Sequence, residues 1–527
     1  MNLRLEMRLE KYKNFLQLAF FSFFALLFIW VFINILFINT EYIFTTFGSV
    51  MFTGLFFCSF LFIKHQLSVH SKAIDKHHET IVLCFFIITS VIQLVCGLML
   101  RYLTAWDHHA IFNGGALWAD TGGLYGYFPE WFGSTMWCRY SVYFSRYPDN
   151  VGGLLFFRNL FSFGNIFGYT DRYLITLITM IIMIQLAAFC IYDICKRLFS
   201  RNIAIFSLAI LAIFLPYYIM PTFFYTDGLT VLFPVLIYNL YLRIDDKDSR
   251  IYRTIIYVLI GLFAAFGMII KFTVVIMLVA IGIQALFRTN LKRSAAMIGC
   301  SVFVTILTMT LMTNYMYATV LSRELVEIYS VPRSHLIAMS MQDNGRFNND
   351  DRIAIHALPN RAARHDYSMI QLRERVREKG VGGMTTLMRR KTVNSFGSGS
   401  YMMGDFIRNV SVNPGALHEW VLPHGEHNRI YSYISHGAYL AMFLLMIISA
   451  CSTVIKRKWN SVELAPYMSF LGLWMFLMIW ETAARYTLNF MPLLLIMAVI
   501  GTTDRMWNLH GENGKKQEKN ITSYPLL

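Results

Sequence analysis

Charge is what this sequence has least of. Only 15% of its 527 residues are Asp, Glu, Lys or Arg, against roughly 25% in a soluble globular chain. With 56% apolar residues, a water-soluble single-chain protein is excluded. Cysteine is also sparse. Cys58, Cys84, Cys96, Cys190, Cys195, Cys300 and Cys451 lie in or at the ends of apolar runs, and only Cys138 falls in a polar connecting segment. That placement excludes a disulfide framework and a cysteine metal site. Acidic residues are outnumbered 46 to 31 by basic ones, for a formal charge of +15. The excess sits largely in short links between apolar runs, where cations meet lipid headgroups, so no nucleic-acid partner is expected. There is no Walker A sequence, no GxGxxG after a strand, no HExxH and no GxSxG in a suitable context. Phosphate-loop, dinucleotide, zinc-protease and serine-hydrolase chemistries are thereby set aside.

What is present is a succession of apolar runs, several reaching the ~20 residues a spanning helix needs. The sequence predicts an all-α polytopic membrane protein of about 12 spans, near 14–38, 43–63, 80–100, 172–195, 203–219, 229–243, 254–268, 271–288, 295–318, 432–453, 462–479 and 485–501. The first run is too long for a signal-peptide core and lacks a small-residue cleavage site, so no cleavable signal is expected. Lys64, Lys196, Arg201, Lys247, Lys292 and Arg457 then share one side with Arg4, Arg8 and the tail lysines Lys515 and Lys516. By the positive-inside rule that side, with both termini, is cytoplasmic in a multi-pass cell-membrane protein.

The expected organisation is N-terminal spans in 1–100, a first external segment at 101–171, central spans in 172–318, a polar external segment at 319–431, C-terminal spans in 432–501 and a cytoplasmic tail at 502–527. The first external segment is rich in aromatics, among them Trp106, Trp118, Tyr125, Trp131, Trp137 and Tyr143, and is expected to lie along the bilayer surface. Residues 151–168 are expected to form an interfacial amphipathic helix. In the second, Ser368–Glu378 and Met384–Val393 read as two helices parted by the glycines of 380–383, forming a small lid on the bundle.

Candidate chemistry gathers at the outer ends of spans. Asp107, in the run Thr104–His109, sits where an apolar helix ends, so a carboxylate there is placed to take a proton from a hydroxyl. The bland alternative is an aspartate bonded to nearby amides. His108 and His109 follow it and, with Asp107, admit a divalent ion, although consecutive residues rarely face one ion; none is required, and no cofactor is expected. Arg146 and Tyr147, in the run Tyr143–Asn150, suit a lipid phosphate through the forked guanidinium, or a headgroup by simple snorkelling. Asp227, with Tyr225 beside it, lies in a short outer turn and is either a helix cap or part of the site. Lys271, Arg485 and Glu481 are further charges at span ends, where an ionisable group faces a cavity or a partner. Glu481 and Arg485 are four apart, the spacing of a structural helix pair.

The pair Trp106-Asp107 with Phe112–Gly115, the run Tyr143–Asn150, Phe224–Asp227, Lys271, Pro332–His335 with Gly345–Asp351, and Ala484–Tyr486 together resemble the GT-C superfamily of membrane glycosyltransferases. Within it the chain is similar to bacterial relatives of protein O-mannosyltransferases and of the lipid A aminoarabinose transferase, of Gram-positive type. The resemblance spans residues 80–500 and rests on the order of the motifs rather than on any one of them. Departures are the two spans before Asp107, where many relatives have one, and the histidines after it. The resemblance implies a GT-C-like bundle with interfacial amphipathic helices and a small extracytoplasmic lid. It implies Asp107 as catalytic base and Arg146, Tyr147, Lys271 and Arg485 as lipid-phosphate ligands. Tyr225, Asp227, His108, His109 and Glu481 would support them. The partners implied are a polyprenyl-phosphate sugar donor, a cell-envelope glycan or other extracytoplasmic acceptor, and the bilayer. A flippase or transporter of a lipid-linked sugar, and an envelope-glycan polymerase or ligase, are the rival readings. Transporters place charges and broken helices near the midplane, whereas here the charges gather outside.

Overall fold

The computed structural model describes residues 3–38, 44–129, 137–245, 247–407, 411–457 and 463–503. Trp131, the side chains of Arg4 and Arg8, and the tail from residue 504 with Lys515 and Lys516 lie outside the described residues.

Among the described residues, eight helices are long and apolar enough to cross a membrane. The pair Arg201–Ile213 and Pro216–Thr222, bent by 74°, forms a broken span or a re-entrant loop, and three shorter apolar helices cover Thr226–Leu242, Phe272–Arg288 and Leu464–Ile479. Each coincides with a run that the sequence marks as a span. Local chemistry sets several starts. Thr45, Asp171, Ser200, Ser249 and Asn290 each accept a backbone N–H of the first turn that follows, satisfying a donor that the helix leaves open.

Inside lipid there is little water to expel between helices, so packing and polar contacts hold the bundle. Phe24, Phe28, Phe443 and Phe470 form one aromatic cluster among spans near the two chain ends, and Phe396 of the polar segment inserts into it. Pro216 and Pro221 have no N–H, so the carbonyls of Ala212 and Tyr217, four residues before them, lack their helical donors, and polar side chains meet that need. Gln93 Nε2 donates to the Tyr217 carbonyl at 2.9 Å, Gln185 bridges Gln93 and Thr89, and the Tyr217 hydroxyl donates to Gln185. The interior of the spans is therefore polar here, though uncharged.

Residues 101–171 are more structured than an aromatic surface loop. Helix Trp106–Thr121 packs along helix Val151–Ile166. Between them stand a two-stranded antiparallel hairpin, Tyr127–Pro129 with Trp137–Arg139, and the helix Tyr140–Arg146. Gly115 makes the helix pair possible, because a Cβ there would lie 2.6 Å from Phe157 Cβ and 3.0 Å from a backbone nitrogen. Within Arg361–Phe396 the polar segment carries two helices parted at the non-helical Gly380 (φ 55°, ψ −167°), as the glycines of 380–383 suggested.

Candidate functional site

The site is built where four chain breaks converge. Helix His78–Met99 ends and, after a short link, Trp106 opens the next helix with φ +55°, a left-handed conformation costly for a bulky residue. This turn places Asp107 in the first helical turn and leaves it exposed. Its carboxylate is held from two sides. Tyr143 donates its hydroxyl to Oδ1 at 2.6 Å and Tyr225 to Oδ2 at 3.4 Å, while Asn150 Nδ2 donates to the Tyr143 oxygen at 2.8 Å. Burial, reinforced by the neighbouring carboxylate, pushes both phenols well above their ordinary range. They stay neutral donors.

The second centre is Asp227, completely buried in the turn after the bent span. It is not the cap of the helix that follows: Tyr225 holds that position, and no backbone N–H donates to the Asp227 carboxylate. Instead it pairs with Lys271, which interrupts the two helices at 250–270 and 275–288, and with Arg485 Nε at 3.5 Å. The cations keep 14% and 24% of their side chains exposed while their counter-ion keeps none, so the positive groups lie on the accessible side of the pair. Three rings flank the Arg485 guanidinium, those of Tyr225, Phe406 and Tyr486, at 5.0–5.4 Å. Lys271 Nζ lies 4.3 Å from the Tyr486 ring centroid. Burial pulls Lys271 below the usual lysine range, and Asp227 opposes that pull.

Tyr225 joins the two centres. Its hydroxyl reaches Asp107 and its ring faces Arg485. The structure thus brings together Asp107, Tyr225, Asp227, Lys271 and Arg485, which are spread over 379 residues of sequence.

Other expectations need correction. His108 and His109 do not share the exposure of Asp107, because successive helical residues point about 100° apart. His108 is buried among Tyr102, Phe112, Phe224 and Tyr225, with no hydrogen-bond partner on either nitrogen, and burial lowers it to about 3. His109 faces the Thr104 carbonyl and Asn113. No group of three metal-ligating side chains occurs among the described residues.

Glu481 and Arg485 do not form a helix pair either. The chain leaves the Leu464–Ile479 helix in extended form and resumes as a 3-10 helix only at Ala484. Glu481 accepts from the Tyr486 hydroxyl at 3.1 Å, and burial raises its carboxyl above the usual range. Arg146 ends the Tyr140–Arg146 helix close enough to His356 and Arg364 to weaken their basicity. Tyr147 Oη shares a 3.0 Å hydrogen bond with His356 Nε2. Both residues therefore border the polar segment. Tyr143, Asn150, Phe406 and Tyr486 are members of the site that sequence reading did not select. The run Tyr143–Asn150 drew attention through its arginine, while the side chain that reaches Asp107 is one turn earlier.

These helices and this arrangement define an all-α polytopic membrane protein. The chain belongs to the family described as conserved hypothetical integral membrane protein, which it matches over residues 9–506. No curated protein matches it. Among solved structures it is similar to ArnT from Cupriavidus metallidurans bound to undecaprenyl phosphate, at 12% identity over 80% of this chain and 77% of that one, with a TM-score of 0.30.

Proposed function

We propose that the protein transfers a sugar from a polyprenyl-phosphate donor to a hydroxyl of an extracytoplasmic acceptor, as a glycosyltransferase of GT-C type. The observation that carries this reading is the pairing of an exposed carboxylate, Asp107, with two mostly buried cations, Lys271 and Arg485, through one shared tyrosine. An anionic lipid phosphate fits the cations, and an acceptor hydroxyl fits the carboxylate.

In this mechanism Asp107 takes the acceptor proton, the acceptor oxygen bonds to the anomeric carbon from the face opposite the phosphate, and the carbon–oxygen bond to phosphate breaks. The configuration inverts. The leaving polyprenyl phosphate gains negative charge, which Lys271 and Arg485 stabilise from a fixed position without reorganising. Phosphate is a good leaving group, so no strong general acid is needed. Tyr143 and Tyr225 orient the carboxylate and, held neutral, do not compete for the proton. Arg146 and Tyr147 border the donor site. The site then faces the extracytoplasmic side, with both termini in the cytoplasm, and a cell-envelope glycan is the preferred acceptor class.

Reconstitution with a radiolabelled polyprenyl-phosphate sugar and an envelope acceptor tests the reading. Wild type transfers label, and Asp107→Asn loses about a hundredfold or more of turnover while still binding donor. Equal turnover by both removes Asp107 as base, and lipid movement across vesicles without transfer favours a transporter.

A further inference from the structure

The two arms of the site are not joined only by Tyr225. A single polar segment grips both. On the Asp107 side, Val331 N–H donates to the carbonyl of Arg146 at 3.0 Å, and His356 meets the hydroxyl of Tyr147. These residues lie three and four positions, one helical turn, after Tyr143, the 2.6 Å donor to Asp107. On the Arg485 side, Ser340 Oγ donates to the Ile479 carbonyl at 2.8 Å and Lys391 Nζ to the Met478 carbonyl at 2.9 Å. Thr482 donates to the Gly345 carbonyl through both its N–H and its hydroxyl, at 2.9 and 3.1 Å.

The chemistry of a helix end explains the second set. Helix Leu464–Ile479 stops short, and its last carbonyls have no intrahelical partner. A serine hydroxyl and a lysine ammonium supply the missing donors, the ammonium also meeting the negative end of the helix dipole. Lys391 has no exposed surface and also donates to the Ser340 carbonyl at 3.3 Å, so one cation ties two stretches of chain together. The segment is itself braced, because Arg375 forks onto Asp351 and also reaches the Ala338 carbonyl.

We propose that the segment from Val331 to Lys391 is a clamp that fixes the Asp107 arm against the Arg485 arm, with Lys391 as its positioning residue. Lys391 acts by holding the 478–482 link, which carries Glu481 and leads into the 3-10 helix that bears Arg485. The clamp stands on these contacts alone; its effect on a lipid phosphate rests on the reading proposed above.

The test uses the full-length protein in detergent. Hydrogen exchange is followed peptide by peptide, and binding of undecaprenyl phosphate is titrated in parallel. Lys391→Met raises exchange in 478–483 and in 331–345 while leaving the distant spans unchanged, and weakens the probe about tenfold through loss of charged hydrogen bonds. Ser340→Ala, a milder change, does the same to a smaller extent and serves if the lysine variant fails to fold. Glu481 is the charged group that faces Lys391, and it favours the protonated lysine against the pull of burial. Exchange that is unchanged, or that rises uniformly over the whole chain, overturns the clamp. If wild type does not bind the probe, the donor reading fails while the exchange pattern still decides the clamp.

Discussion

Tyr143 donates its hydroxyl to Asp107 Oδ1 at 2.6 Å, and its own oxygen accepts from Asn150. A buried phenol thus fixes an exposed carboxylate from below. Tyr143→Phe removes a hydrogen bond to a charged group, worth roughly 1.5–3 kcal/mol. Turnover is expected to fall about tenfold with donor affinity nearly unchanged, read from steady-state transfer kinetics. An unchanged rate constant means that the tyrosine packs without orienting the base.

Asp227 is the only fully buried member of its ion group, so removing it strands two cations. Asp227→Asn is expected to destabilise the protein by about 3–5 kcal/mol, seen as a lower melting temperature in detergent. Adding Lys271→Met to that variant should recover part of the loss, because one unpaired cation disappears. A double variant as unstable as the sum of the singles would disprove the coupling.

Acid sensitivity follows from three histidines outside the spans, the buried His108 and His335 and the half-buried His356. Burial lowers His108 to about 3, His356 to about 3 and His335 to about 4, from an ordinary value near 6.5. The unfolded chain binds more protons in the window between those values, so stability rises with pH there. It is fully present above about pH 6.5 and is lost as pH falls toward 4. Melting temperatures at pH 7 and pH 5 should differ, and His108→Phe should reduce the difference. A pH-independent melting temperature refutes the assignment.

Orientation is checked by labelling. Tyr125 and Val381 are 84% and 87% exposed, and Lys247 is exposed in a link between spans on the other side of the threading. With native cysteines replaced, Tyr125→Cys and Val381→Cys should react with an impermeant maleimide applied to intact cells, and Lys247→Cys only after lysis. Reaction of all three from outside defeats the proposed topology.

The spans were legible because twenty apolar residues in a row admit few other structures, and Asp107 was legible because a carboxylate at such a run's end is conspicuous. The convergence of Asp227 with Lys271 and Arg485 was not, since it depends on how four helix ends meet. His108 misled because a sequence gives polarity and not facing; one step along the helix turns its ring into an aromatic core. Lys391 drew no attention in the sequence for the opposite reason. It ends an Arg-rich stretch that looks solvated, yet the helix past Gly380 turns down among the spans and takes the lysine with it.

Gly345 stands in the left-handed region, and a Cβ there would come within 2.6 Å of the Lys391 side chain, whose far end is tied to two carbonyls. Gly345 is thus held by two independent constraints, its positive φ and the side chain laid against it, and shortening residue 391 relieves only the second. Across related chains glycine is expected at this position whatever residue stands at 391.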